Sequence, residues 1–295
     1  IEIGEKSGIS VQISHHKVTT KESWGLVRGS LAMMHNARER GVDVTCDVYP
    51  YIATATGLDS ILPSWAHEGG LAEMLPRIRD REIRREIMDD LIRNQKPRGW
   101  ENLVVSSVQS EENKEFEGKN MLEISKMLDL KPEEAVLELL YQEKARVGMV
   151  RFAMSEADVK HVISDELTMI GSDAGARADY GPLAKGKPHP RAYGTFPRVL
   201  GKYSRDEGVI SLEKAVYKMT GFPAWRLGLD NKGVLKEGMD ADITIFNSDK
   251  IEDRATFIDP HQYPAGINKV IVNGEVVVDN NQHSGNKPGR VLNKN

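Results

Sequence analysis

The chain has 295 residues, of which 39% are hydrophobic and 28% charged, and a formal net charge of −4, enough for about two domains or one large barrel. That composition excludes global disorder, and a charge near neutrality with no long basic run argues against nucleic acid or anionic membrane as a main partner. No apolar run approaches the roughly 18 residues of a membrane helix, and the single cysteine, Cys46, forbids an internal disulfide or a multi-cysteine zinc site and fits a reducing cytoplasm.

The first residues, Ile1 to Glu5, carry neither an initiator Met nor a charged-then-apolar leader. The chain therefore reads as one entered partway through, without a signal peptide. Ile9 to Ser14 is a short apolar run that stops at His15, His16 and Lys17. Thr19 and Glu22 have the spacing of a capping box, and Trp24, Val27, Leu31 and Met34 follow at helical spacing up to Gly41. Val42, Val44, Cys46 and Val48 then alternate as a strand that ends in Tyr49-Pro50-Tyr51. Strand, helix, strand in fifty residues is a βαβ unit, which requires a parallel sheet.

From about residue 58 to 145 the pattern changes to a helical insertion. It holds a charged helix over Arg77 to Arg93, a short strand over Leu103 to Val108, and helices over Leu122 to Leu128 and Pro132 to Tyr141. Core patterning resumes with Gly148 to Met154, a helix from Ser155, and the strand Leu167 to Ile170, which runs into Gly171-Ser172-Asp173. A loop rich in Gly, Pro and Lys leads to His189-Pro190-Arg191, and helices follow over Ser211 to Met219 and Pro223 to Leu229. The tail is antiparallel β: Ala241 to Phe246 alternates, and Asn273-Gly274 sits between two apolar runs as a hairpin turn. The expected division is a barrel portion over 1–230 and a β-rich satellite over 231–295.

Three strand ends carry polar side chains: His15, Asp47 with Tyr49, and Asp173. The C-terminal strand ends of a parallel αβ barrel line its active site, and imidazole and carboxylate are zinc ligands. Each has a plainer alternative: a hydrogen-bonded loop histidine for His15, a turn or cap for Asp173, and a local pairing for Asp47. His16 points away from His15 if the strand persists. Cys46 is expected to face the helix layer as a small apolar residue. His35, His67, His161, His261 and His283 read as structural or solvated, without partners.

Several segments together resemble the N-acyl-D-amino-acid deacylases (D-aminoacylases) of the amidohydrolase superfamily. They are Ile13-Ser-His-His-Lys17, Asp47-Val-Tyr-Pro-Tyr51, Gly171-Ser-Asp173, His189 to Gly201, Lys218-Met-Thr220, Gly238 to Asp242 and Pro288 to Leu292. The resemblance implies an α/β fold, the later strands of a (β/α)8 TIM-like barrel, and zinc-dependent hydrolysis of an N-acyl-D-amino acid, a small-molecule substrate. By that resemblance His15 would be the strand-five zinc ligand. Asp173, on strand eight, would bind the metal or its water and shuttle the proton as the catalytic residue. Tyr49, Tyr51 and Met154 would stand near the substrate side chain, with Lys17 and Arg191 on its carboxylate. Arg151 and Arg177 are possible extra cations for an acidic side chain. The chain has no His-x-His and no upstream Cys or acidic bridging ligand, which in the family lie on earlier strands, so His15 and Asp173 alone leave a tetrahedral site two ligands short. The alternatives are a cyclic-amide hydrolase of dihydroorotase or hydantoinase type, and a non-catalytic remnant of the fold.

Overall fold

A computed structural model of the chain describes residues 1–292. It opens with α1 (Glu2–Ser7), β1 (Val11–Ile13), α2 (Val27–Glu39) and β2 (Val44–Val48). There follow β3 (Ala53–Gly57), α3 (Leu71–Arg79), α4 (Arg81–Asn94), β4 (Leu103–Ser107), α5 (Met121–Met127), α6 (Pro132–Gln142) and β5 (Gly148–Phe152). Then come α7 (Glu156–Ser164), β6 (Thr168–Ile170), and α8 (Arg191–Arg198), which continues into a π-helical stretch over Val199–Asp206. The last elements are α9 (Leu212–Met219), α10 (Gly221–Leu227), β7 (Ile243–Phe246), β8 (Ile267–Val272), β9 (Glu275–Asp279) and β10 (Gln282–His283). No helix among the described residues is long and apolar enough to cross a membrane.

The βαβ unit forms as its pattern requires. β1 and β2 pair in parallel, with Val11 opposite Val44 and Ile13 opposite Cys46. β6 pairs in parallel with the other edge of β2, Asp47 lying opposite Met169. Val27, Leu31 and Met34 of α2, Val44, Cys46 and Val48 of β2, and Val159, Val162 and Ile163 of α7 form one buried cluster. Each such side chain contributes about 1.5–3 kcal/mol by leaving water, so the three-stranded sheet is held chiefly by the helices on its outer face. Cys46 lies in this layer as expected, 3.2 Å from the Thr168 hydroxyl, and burial pushes its thiol up to about 12.

Four sequence expectations need correction. The Thr19–Glu22 capping box does not form. Residues 21–23 make a 3-10 turn, Gly25 adopts φ 89°, and the Gly25 N–H donates to the Asp158 carboxylate at 3.0 Å, so the helix starts only at Val27. The helix expected over Arg77 to Arg93 is broken at Asp80, whose carboxylate caps α4 by accepting the N–H groups of Glu82 and Ile83 at 3.0 Å. Gly148–Phe152 is not a core strand. It is the middle strand of an antiparallel sheet of order β3-β5-β4, so the excursion runs from residue 53 to 152 and has its own core, built on Leu58, Met74, Ile87, Leu91, Leu103 and Leu139. Because that strand is used there, β6 pairs directly with β2, and no strand intervenes where the resemblance would number Asp173's strand as the eighth.

The tail is the expected antiparallel sheet, β10-β9-β8-β7. Asn273 and Gly274 both take positive φ, 47° and 82°, as a two-residue hairpin between β8 and β9 demands. α8 and its π continuation contain Gly194, Pro197 and Gly201, residues that ordinarily disfavour a helix interior. Here the glycines serve close packing. A Cβ on Gly194 would fall on the Tyr51 hydroxyl and lie 2.7 Å from Asp253 Cβ, and one on Gly201 would lie 2.5 Å from the Ile251 carbonyl oxygen. In an open helix Gly→Ala stabilises, but neither a rigid tyrosine ring nor a chain-proximal Cβ can step aside. Gly194→Ala is therefore expected to destabilise by about 1–3 kcal/mol, read as a lower urea midpoint; an unchanged or raised midpoint would contradict this seating of α8.

Candidate active site at the strand ends

The C-terminal ends of β1, β2 and β6 lie side by side, and the residues after them converge. Asp47 ties the first two. Its carboxylate accepts the His15 backbone N–H at 2.7 Å and the Gln12 side-chain amide at 2.8 Å, while the Thr45 hydroxyl donates to Gln12 Oε1 at 2.5 Å. This clamp closes the loop after β1 in a conformation that puts His15 at φ 44°, a left-handed state in which L residues are strained. Lys17 then folds back, its ammonium donating to the His15 carbonyl at 2.9 Å and lying 5.2 Å from the centre of the Tyr49 ring.

On the other side, Asp173 leaves β6 at φ 49°, also left-handed. Its carboxylate pairs with the guanidinium of Arg191 at 2.9 Å. The Arg191 side chain is only 9% exposed and stacks over the same Tyr49 ring, 4.6 Å from its centre. Two cations thus share the Tyr49 ring, whose hydroxyl donates to the Met154 sulfur at 3.8 Å. Burial, first of all, pushes the Lys17 ammonium down to about 8; Asp173 and Asp47 oppose the shift and Arg191 adds to it. Burial also raises the Tyr49 phenol well above its ordinary range, so the ring stays neutral.

The structure therefore brings together Lys17, Tyr49, Met154, Asp173 and Arg191, with His15 at the edge. Tyr51 does not join them. Its hydroxyl points to Asp253 (3.3 Å) and the Pro190 carbonyl (3.5 Å), and Arg198 lies over its ring at 4.8 Å, so it braces α8 from behind. His16 turns to the helix layer, 3.0 Å from the Ser30 hydroxyl, as the strand alternation required. The remaining histidines do have partners, against expectation: His35 meets Asp165 at 2.8 Å, His67 the Asp59 carbonyl, and His161 Arg28. His261 meets the Tyr193 hydroxyl and His283 the Gly285 N–H. Each is a loop or helix-end contact that periodicity does not reveal.

Sequence reasoning missed His189. It is 4% exposed; its Nδ1 accepts the Arg191 backbone N–H at 3.0 Å and its Nε2 donates to the Ala53 carbonyl at 3.0 Å. Only a neutral ring with the proton on Nε2 makes both bonds. Edge-on contacts with Tyr49, Tyr51 and Phe257 complete its cage. The available signal was its place two residues before Arg191, because a side chain at that distance can hold the backbone that presents the guanidinium.

A zinc ion does not fit on these residues alone. His15 is exposed and its ring makes no hydrogen bond among the described residues, while Asp173 is engaged by Arg191. Among the described residues no group of three or more His, Cys, Asp or Glu side chains stands where it could hold a metal ion. Two donors do not make a four-coordinate site.

Comparison with known proteins places this geometry in context. The model of the amidohydrolase family matches residues 60–278. D-aminoacylase of Alcaligenes xylosoxydans xylosoxydans is 34% identical over 292 residues, 98% of this chain and 50% of that protein. A solved N-acyl-D-glutamate deacylase from Bordetella bronchiseptica, complexed with zinc and a phosphonate mimic of the tetrahedral intermediate, superposes with a TM-score of 0.73 at 30% identity, over 94% of this chain and 48% of that one. A D-aminoacylase described as having a binuclear metal centre gives a TM-score of 0.76 at 34% identity, over 99% and 52%. The chain thus spans about half the length of the curated relatives it matches.

Burial, with the nearby Arg191 charge, holds the His189 imidazole down at about 3. The unfolded chain takes up a proton near pH 6.5 that the folded chain refuses until about pH 3. Stability is therefore fully present above about pH 6.5 and drains as the pH falls toward 3, by up to about 1.4 kcal/mol per unit. His189→Gln is expected to flatten that limb in urea titrations between pH 6.5 and 4; an unchanged slope would mean that His189 is not the buried neutral group.

Proposed function

Because the chain belongs to the amidohydrolase family, we propose that it carries the later strands and the carboxylate-binding half of an N-acyl-D-amino-acid deacylase. In this reading residues 1–230, with the excursion from β3 to β5, are part of a (β/α)8 barrel, and 231–295 are its satellite. The substrate is an N-acyl-D-amino acid, and the products are a carboxylic acid and the free D-amino acid.

One observation carries this reading: two cations, Lys17 and Arg191, stand against one neutral aromatic ring, with the Asp173 carboxylate on the guanidinium. Asp173 meets the guanidinium, and the other nearby carboxylate, Asp47, is taken up by the His15 N–H and the Gln12 amide, so the Lys17 ammonium keeps room for a second anion. The planar guanidinium takes a carboxylate in a two-point grip, and the ammonium adds charge without demanding direction. Tyr49 and Met154 supply the apolar wall beside it. Asp173 is the proton carrier, taking a proton from the attacking water and delivering it to the departing amine. A metal ion, supplied by a fuller set of ligands than His15 and Asp173 provide, would polarise the acyl carbonyl. The solved relatives bound to zinc or described with a binuclear centre support a metal, with Zn2+ as the proposed ion.

The test is release of free amino acid from matched N-acetyl-D- and N-acetyl-L-methionine with zinc in excess. The expected result is D-selective release. Arg191→Gln should lower kcat/KM roughly ten- to hundredfold, the loss of a charge-assisted contact, and mainly through KM; Arg191→Lys should recover part of it. Preference for the L form would overturn the reading; release from neither substrate would sink activity of this chain alone, in line with its two-donor metal geometry. Ring opening of a cyclic amide without acyl release would instead favour the dihydroorotase-like alternative.

A further inference from the structure

A second cleft, of about 250 Å3, opens where the β1–α2 loop meets the segment leading into β4 and the end of β5. Arg151 and Phe152 line it, Trp24 forms a wall, and Lys21, Lys96 and Arg98 stand at its mouth. Trp24 is pinned by its indole N–H, which donates to the Ala153 carbonyl at 3.1 Å. The cleft thus holds four cationic side chains against two acidic ones, Glu22 and Glu101.

Arg151 is the unusual member. It is half-buried on the central strand of its sheet, opposite Thr54 and Leu103, neither of which can neutralise it. Among the described residues it makes no ion pair and no side-chain hydrogen bond, and neither do Arg98, Glu22 or Glu101 with any cationic or acidic partner across the cleft. A guanidinium drawn from water beside a second one is unfavourable until an anion joins them. Burial and Arg98 both push the Arg151 guanidinium down, in keeping with a charge that lacks a counter-ion.

The size of the cleft lies below the about 300–1,000 Å3 of drug-sized pockets. Its walls are partly aromatic, and its charge sits on guanidinium groups, which match a planar carboxylate. We propose that this cleft binds a small aliphatic carboxylate through Arg151 and Arg98, with the hydrocarbon part against Trp24 and Phe152. The carboxylate comes either from the side chain of an acidic acylated amino acid or from a free dicarboxylate. Ala153, which lines the cleft, is followed in the chain by Met154, whose sulfur accepts the Tyr49 hydroxyl, so the first source is tested beside the second. Only that arm rests on the deacylase reading; the anion site does not.

The test is calorimetric titration of glutarate into the whole chain, with Trp24 fluorescence as the local reporter. Saturable binding is expected. Arg151→Gln, and separately the exposed Arg98→Gln, should weaken the complex that the cleft fluorescence reports by at least about tenfold with the melting temperature unchanged, whereas Arg191→Gln should remove only a separate heat from the strand-end site and leave the fluorescence-reported complex in place. Trp24→Phe should diminish the fluorescence response to the share carried by Trp100, which also lines the cleft, but not remove the heat. N-acetyl-D-glutamate and N-acetyl-D-leucine then separate the sources. A tighter complex with the glutamate compound that loses its margin in Arg151→Gln assigns the cleft to the substrate side chain. Equal binding of the two, with glutarate still dependent on Arg151, assigns it to a free dicarboxylate. A fluorescence-reported glutarate complex that survives both cleft variants, or that is lost with Arg191→Gln instead, overturns the proposal, as does an absence of any fluorescence-reported complex together with no glutamate margin. Because this readout needs neither metal nor turnover, its failure is distinct from failure of the deacylase assay.

Discussion

A guanidinium cannot leave water without company, and Arg191, with a side chain 9% exposed, sets the terms for everything around it. An unpaired buried charge costs several kcal/mol, so Asp173 must meet it, and Tyr49 must offer its ring face and stay un-ionised. A second full cation packed against its backbone would be repelled, so His189, which accepts the Arg191 N–H, has to be neutral. The same need reaches outward. His189 is fixed by the Ala53 carbonyl at the start of β3, and α8, which bears Arg191, is seated through Gly194 on Tyr51 and Asp253. One buried charge thus joins the parallel sheet, the entry to the excursion and the segment before the satellite.

That linkage explains which parts of the fold were legible in the sequence. The βαβ unit and the Asn273-Gly274 hairpin are specified locally, by alternation, spacing and a turn dipeptide, and they form as read. Gly148–Phe152 has the same apolar pattern as a barrel strand, yet it pairs with β3 and β4 because those partners cover both its edges within the excursion. Periodicity reports that a strand is half-buried; it does not report against what. The break at Asp80 fails for a different reason. The charged run continues on both sides with helical spacing, and only the capping geometry of the Asp80 carboxylate divides it.

Strand-end reasoning picked out Tyr49 and Asp173, and the family resemblance added Lys17, Met154 and Arg191; these five lie together in the structure. What the sequence could not supply was depth. Tyr49 and Tyr51 are two residues apart on an extended segment and would ordinarily share a face, but the chain turns at Pro50, with the Tyr51 N–H donating to the Tyr49 carbonyl at 3.0 Å. One ring then enters the cluster and the other backs it. His189 was invisible for a related reason: its importance lies in bonds to backbone groups of Ala53 and Arg191, which leave no pattern of side-chain types.

Two of the residues at the site, His15 and Asp173, share a feature that sequence does not encode directly. Both follow a parallel strand, and both adopt positive φ, where a non-glycine residue costs of order 1–3 kcal/mol. Asn and Asp tolerate that region best, and most of the other non-glycine residues found there close ordinary turns, among them Asn273, Asn280 and Asn281. At the strand ends each strained residue is instead held by a charged group: the Asp47 carboxylate takes the His15 N–H, and Arg191 takes the Asp173 carboxylate. The strain and the charge pairing are therefore one device. It fixes the backbone of both strand-end residues, through the Asp47 carboxylate at His15 and through the buried Arg191 guanidinium at Asp173.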